Sequence, residues 1–99
     1  MVSMEKGPLL IPPVAQHDHD AFEVARVWVA QGEMHVAMRP DVWEDPGAWG
    51  ILLVDLAKHI ANAHYEQWGR KPPETLQRIR AAFDAEWGSA SDFSGGFLA

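Results

Sequence analysis

The chain has 99 residues, of which 47% are hydrophobic and 22% charged, the composition of one small globular domain rather than of a disordered or fibrous protein. It carries 8 basic and 14 acidic side chains, for a formal net charge of −6. Nucleic-acid-binding proteins need clustered Lys and Arg to displace counterions from phosphates, so we expect no nucleic-acid partner. Cysteine is absent, which excludes disulfides, thiolate metal sites and cysteine nucleophiles.

Residues 1–21 are predicted to be a flexible leader, because prolines bracket a short apolar run and a polar segment follows it. The run is much shorter than a signal-peptide core, and no apolar stretch approaches the roughly 20 residues that cross a bilayer. We therefore expect a soluble, cytoplasmic protein with no membrane partner. His17 and His19 could converge, but two ligands do not make a selective site, so no metal or other cofactor is predicted.

Residues 22–30 and 34–39 are predicted to form a β-hairpin. Both segments are rich in β-branched and aromatic side chains, which suit a pleated sheet, and Pro40 ends the second. A two-residue turn at Gly32 and Glu33 would place glycine first, as a type II′ turn requires. A three-residue turn remains the alternative, and it would exchange the faces of one strand.

With the two-residue turn, both faces of the hairpin carry apolar side chains. Val29 would pair with Val36 and Val27 with Met38 on one face, since side chains alternate along a strand. The opposite face would carry Phe22, Val24 and Trp28. Both faces therefore need a cover.

A long helix is predicted next, from residue 46 to about residue 68. Asp45 can cap its free amides, Pro46 suits the first helical position, and Gly69 provides a C-terminal stop. Its apolar stripe consists of Trp49, Leu52, Leu53, Leu56, Ile60, Ala63 and Trp68. We predict that the middle of the stripe is almost fully buried between the sheet and a second helix. These core residues are Leu53, Leu56 and Ile60.

The second helix is predicted to open at Pro72 and to end near Trp87. The linker after residue 69 is short, so the two helices should pack as an antiparallel hairpin. Glu74 and Arg78, like Arg80 and Asp84, are spaced to form pairs on its solvent face. The fold class is therefore α+β: an antiparallel β-hairpin followed by a helical hairpin, in the order β-β-α-α, packed on one sheet face. It forms a single domain over residues 22–88, and residues 89–99 are a disordered tail.

Three polar side chains are weak candidates for a ligand site. Asp55 and His59 are four residues apart on the long helix, so a carboxylate could orient an imidazole as in a general-base pair. His35 lies in the hairpin. A nucleophile to complete such a device is missing, since the serines lie in the expected flexible ends and Thr75 lies in the first turn of the second helix. We interpret Asp55 and His59 as a surface pair. No catalytic residue is predicted, and the protein is expected not to be an enzyme.

Residues 22–87 resemble an uncharacterised family of short alphaproteobacterial proteins, about 90–100 residues long, that form a domain of unknown function. Three segments carry the resemblance: residues 26–28, residues 41–43 and the run 45–55, which opens the long helix; residues 83–87 add to it. The resemblance implies a small α+β domain in a bacterial cytoplasm. It implies no activity, ligand or catalytic residue.

The favoured function is a non-enzymatic interaction or assembly module. A two-stranded hairpin leaves unpaired edges that invite another strand, so we expect a homodimer, with a small-molecule or metal-binding accessory domain as the alternative. A second protein could dock on two aromatic residues of the tail. The rival to the dimer is a monomer in which residues 9–11 cap the open sheet face. The expected interaction residues are Phe22, Val24, Trp28, Phe93 and Phe97.

Overall fold

The structure is a computed structural model that describes residues 7–89. Its elements, in chain order, are α1 (Pro13–Gln16), β1 (Ala25–Ala30), β2 (Glu33–Met38), α2 (Gly47–Trp68) and α3 (Pro72–Trp87). The predicted α+β class and the order β-β-α-α are confirmed. The single turn of helix α1, which starts after Pro12, was not expected within the leader.

The hairpin has the predicted faces but a different turn. Its central residues are Gln31 and Gly32, both with positive φ (56° and 75°), which is the backbone of a type I′ turn rather than of the predicted type II′ turn. Val27 is therefore opposite Val36 and Val29 opposite Met34. The predicted partners were two residues further along β2, and a shift of two leaves every side chain on its predicted face.

β1 begins at Ala25, three residues later than predicted. Beyond it the ladder continues through one hydrogen bond, in which the Arg39 amide donates to the Val24 carbonyl at 2.9 Å. The Arg39 Nε also donates to the carbonyl of Glu23 at 3.1 Å. Phe22 lies outside the strand, so it does not share the regular face of Trp28.

Both ends of α2 follow the predicted local chemistry. The Asp45 Oδ1 accepts a hydrogen bond from the Gly47 amide at 2.8 Å, which satisfies one of the free donors of the first turn. Gly69 adopts φ 72° and its amide donates to the Tyr65 carbonyl at 2.8 Å. This left-handed position is where glycine stops a helix without strain.

Helices α2 and α3 pack against each other. Ala61 of α2 is 1% exposed and is the one buried residue of the described chain. His64 on the same side of α2 is half-buried, as are Thr75 and Ile79 of α3. His64, Thr75 and Ile79 line one cleft between the two helices.

The predicted burial of Leu53, Leu56 and Ile60 is wrong for the single chain, where these side chains are 47%, 51% and 39% exposed. The helical period places their stripe roughly 70° around α2 from the line that faces α3. The two hairpins meet only weakly, since the close element contacts of the described residues are β1 with β2 and α2 with α3. The stripe therefore lies beside α3 and is not covered by the sheet.

Candidate functional site

Two apolar surfaces stand open in the described structure. The first is a stripe along α2, named here the α2 stripe, formed by Leu53, Leu56 and Ile60. The second is one face of the hairpin, named here the valine face. It is formed by Val27, Val29, Val36 and Met38. All seven side chains are exposed, although each lies on a side that the sequence pattern marks as interior-facing.

The valine face results from the register of the hairpin. Val27 and Val36 are paired directly across the strands, so their side chains project on the same side. Val29 and Met38 continue that side along β1 and β2. No charged side chain of the two strands projects from it, because Arg26 and Glu33 point to the other face by alternation. An uncharged, β-branched face of this kind is typical of a surface that packs against another element.

The interaction residues expected from the sequence do not belong to either of these two surfaces. Phe22 is exposed, Val24 is half-buried and Trp28 projects from the face opposite Val27, where it is paired with His35. Phe93 and Phe97 lie outside the described residues.

The three ligand-site candidates are not brought together. Asp55 and His59 are both exposed on α2, and within residues 7–89 no hydrogen bond joins them. The His35 ring on β2 lies 3.2 Å, through Nε2, from the Ala30 carbonyl. None of the three lines either of the two clefts described below, so the arrangement offers no general-base device.

One cleft, of about 260 Å³, lies at the open end of the hairpin between residues 23–26 and 37–39. The Arg26 guanidinium there is held by an ion pair to Glu23, 3.1 Å from Nη2 to Oε1. Both side chains are largely solvated, so the pair contributes little stability. Arg39 also lines this cleft, and its Nε donates a hydrogen bond to the Glu23 carbonyl, so both guanidinium groups of the cleft already have a partner within it.

A second cleft, of about 280 Å³, lies between α2 and α3 near the linker that joins them. Sequence reasoning missed it. Ile60 and Ile79 provide its apolar wall, and Arg70 and Arg78 stand at it. The pattern of either helix alone does not indicate it, because the cleft forms only where α2 and α3 lie side by side.

Within the range 7–89, no three His, Cys, Asp or Glu side chains lie close enough together to hold a metal ion. In the same range, none of the helices has the length and apolar character needed to cross a membrane.

Comparison with known proteins gives a family and a similar fold. A family model described as "Domain of unknown function (DUF5076)" matches residues 8–90, so the match reaches further into the leader than the resemblance seen in the sequence. A solved structure of a "putative pyruvate dehydrogenase" from the photosynthetic bacterium Rhodopseudomonas palustrus CGA009 is similar, with 35% identity and a TM-score of 0.69. The alignment covers 90% of this chain and 93% of that one. No protein of curated function matches the chain significantly.

Proposed function

The chain belongs to the DUF5076 family, and we propose that it is a non-enzymatic assembly module of the bacterial cytoplasm whose partner is a second copy of itself. The observation that carries the proposal is the open α2 stripe beside a helix hairpin that buries one residue. A bacterial setting is supported by the source of the similar structure.

The exposure of apolar side chains is the first support. In the described residues, twenty large apolar side chains are exposed, while only Ala61 is buried. Single exposed apolar residues are common on monomers. Residues 7–89, however, bury only one side chain, which leaves most of the hydrophobic effect, the main driving force of folding, unused in that range. A second copy that covers these residues would provide the missing core.

The surface area is the second support. The chain exposes 8834 Å², against about 5,600 Å² for a folded monomer of this mass. The 16 residues outside the described range account for at most about 2,400 Å², the surface of an unfolded segment of that length. About 6,400 Å² then remains for residues 7–89, where a compact monomer would expose about 5,000 Å². The excess of about 1,400 Å² per copy exceeds the ~800 Å² that each partner buries in a standard interface.

The two open surfaces suggest how the copies meet. The sequence pattern predicts that α2 packs on a sheet face, yet the hairpin of the same chain does not cover the α2 stripe. We propose that the valine face of one copy packs on the α2 stripe of the other. A two-fold axis repeats the contact, because in such dimers each copy presents both surfaces.

The alternative to the dimer, a monomer in which residues 9–11 cap the open sheet face, is not supported by the position of the leader. Leu9 and Leu10 are 94% and 92% exposed, so residues 9–11 do not cap the hairpin in the described structure. Both faces of the sheet remain available to a partner.

The mass of the protein in solution tests the proposal. Light scattering over a wide concentration range should give about twice 11.0 kDa, and Leu56→Glu should lower the mass to that of one chain because a carboxylate cannot be buried unpaired. Asn62→Glu, which adds the same charge to an exposed position of α2, should keep the wild-type mass. A mass of 11.0 kDa at every concentration contradicts the proposal, as does equal dissociation of both variants.

A small-molecule-binding role is the second candidate, and the cleft between α2 and α3 favours it. Its lining combines an apolar wall with convergent polar groups, which is the usual composition of a ligand site.

A further inference from the structure

The cleft between α2 and α3 has one apolar side and one cationic side. Ile60 and Ile79 form the first, and Arg70, Arg78 and Thr75 stand at the second. Ligand sites commonly pair an apolar wall with a few placed polar groups, in volumes upward of about 300 Å³. At about 280 Å³, this cleft lies just below that range, so its ligand has only a few carbon atoms.

Arg70 is held in place by aromatic neighbours rather than by a carboxylate. Its Nη1 lies 3.1 Å from the His64 Nδ1, and its Cζ lies 5.2 Å from the centre of the Trp68 ring. The His64 and Trp68 rings in turn meet edge to face at 4.9 Å. Since a guanidinium only donates hydrogen bonds, Arg70 is the donor and the His64 Nδ1 the acceptor of this contact. The remaining guanidinium N–H groups are free to bind an anion.

The second guanidinium of the cleft is also unpaired. Arg26 and Arg80 have carboxylate partners, at 3.1 and 3.0 Å, but within residues 7–89 neither Arg70 nor Arg78 forms an ion pair. The expected pair of Arg78 with Glu74 is not formed, although both line the cleft. Two guanidinium groups and one carboxylate leave the cleft with a net positive charge, in a chain whose net charge is −6.

The backbone at this end of α3 offers little to an anion. Helix N-termini bind anions through free amides, but α3 opens with Pro72 and Pro73, which have none. The amides of Glu74 and Thr75 already donate to the Lys71 carbonyl, at 3.0 and 3.2 Å. An anion here must therefore be bound by side chains.

We propose that this cleft binds a small aliphatic carboxylate. The carboxylate lies between the guanidinium groups of Arg70 and Arg78, where charge-assisted hydrogen bonds are strong. The Thr75 hydroxyl donates a further hydrogen bond, and the short carbon chain contacts Ile60 and Ile79. The cleft shares Ile60 with the α2 stripe of the proposed dimer, but its charged groups, Arg70 and Arg78, lie outside both surfaces of that dimer. Loss of binding on substitution of either arginine is therefore distinguishable from loss of assembly.

Butyrate is a suitable probe, since it joins a carboxylate to a three-carbon chain. Isothermal titration of the full-length protein should show saturable binding, and acetate should bind more weakly because it lacks most of the apolar contact. Arg70→Gln and Arg78→Gln should each weaken butyrate binding about tenfold or more, the usual effect of losing a hydrogen bond to a charged group. Arg80→Gln is the matched control, because it removes the same charge from α3 outside the cleft, and it should change affinity less than about twofold.

Three results would overturn the proposal. The first is no saturable binding of butyrate. The second is equal weakening in the Arg80→Gln variant, which would indicate a general charge effect. The third is inorganic phosphate binding more tightly than butyrate with the same dependence on Arg70, which would assign the cleft to phosphate. Circular dichroism shows whether each variant is folded, and light scattering of the Arg70→Gln variant reports separately on assembly.

Discussion

Trp43 and Trp49 meet edge to face, with ring centres 5.2 Å apart and ring planes at 79°. Trp43 lies in the connector after the hairpin, and Trp49 lies in the first turn of α2. The contact therefore fixes the connector to the start of α2. It thereby sets the direction in which the chain passes from the hairpin into that helix. Edge-to-face pairs of this geometry contribute about 0.5–1.5 kcal/mol beyond the area that they bury.

Trp43→Leu should lower the free energy of unfolding by about 1–2 kcal/mol, because it removes the ring contact and part of the buried area. Trp43→Phe keeps an aromatic ring against Trp49 and should lose less than half as much. Urea denaturation followed by circular dichroism measures both. Equal losses in the two variants would show that the ring contact does not stabilise the connector.

Two glycines of the helical hairpin should respond to alanine in opposite directions. Gly50 lies within α2, and a Cβ added there would meet nothing within 4 Å. Gly50→Ala should therefore stabilise the protein by about 0.5–1 kcal/mol. Gly69 has φ 72°, so Gly69→Ala should destabilise it by about 1 kcal/mol. Thermal denaturation of both variants gives the signs, and a loss in Gly50→Ala would indicate that a partner surface packs on this turn.

The sequence predicted both ends of α2 because local chemistry determines them. Asp45 before Pro46 and Gly69 after Trp68 satisfy the orphan groups of α2 within a few residues. The hairpin faces were also predictable. Side chains alternate between the two faces of a sheet, so the faces depend only on whether the turn has an even or an odd number of residues. The position of the turn was not, because two adjacent dipeptides contain Gly32 and the strand pattern does not choose between them.

The turn can be tested directly. Gln31 has φ 56°, a left-handed conformation that asparagine tolerates better than other side chains with a Cβ. Gln31→Asn gives the Asn-Gly sequence that type I′ turns prefer and should raise the free energy of unfolding by a few tenths of a kcal/mol or more. Gln31→Val should lower it by about 1 kcal/mol or more, because a β-branched residue is strained there. If both variants have wild-type stability in urea denaturation, the turn does not adopt this geometry.

The apolar residues of the candidate site were identifiable from the sequence, but the element that packs on them was not. The helical period assigns Leu53, Leu56 and Ile60 to one stripe, and it does not say whether the covering element belongs to the same chain. The cleft at Arg70 was less accessible still. It depends on the packing of α3 against α2, and a contact between two helices is not visible in the pattern of either one.

Stability should depend on protein concentration if a second copy completes the core. Unfolding of a dimer releases two chains, so a tenfold rise in concentration adds about 1.4 kcal/mol to the apparent free energy of unfolding. Thermal denaturation at several concentrations should show a rising midpoint for the wild type and for Asn62→Glu. An unchanged midpoint would mean that the folded unit is one chain.

The contact between the valine face and the α2 stripe predicts complementation between two damaged chains. Leu56→Glu places a carboxylate on the α2 stripe and Val27→Lys places an ammonium group on the valine face, so each variant alone should be monomeric. In a mixture, one contact of the two-fold dimer joins the Glu-bearing stripe to the Lys-bearing face, where opposite charges attract. The other contact joins two unaltered surfaces. Light scattering of the mixture should therefore give the dimer mass, whereas a solution of either variant alone should give the mass of one chain.

Two stripes packed on each other would give no recovery, because each mixed dimer would still bury an unpaired carboxylate. Trp28→Lys mixed with Leu56→Glu is the matched control, since it places the same charge on the opposite sheet face. Recovery in that mixture instead would assign the contact to the Trp28 face.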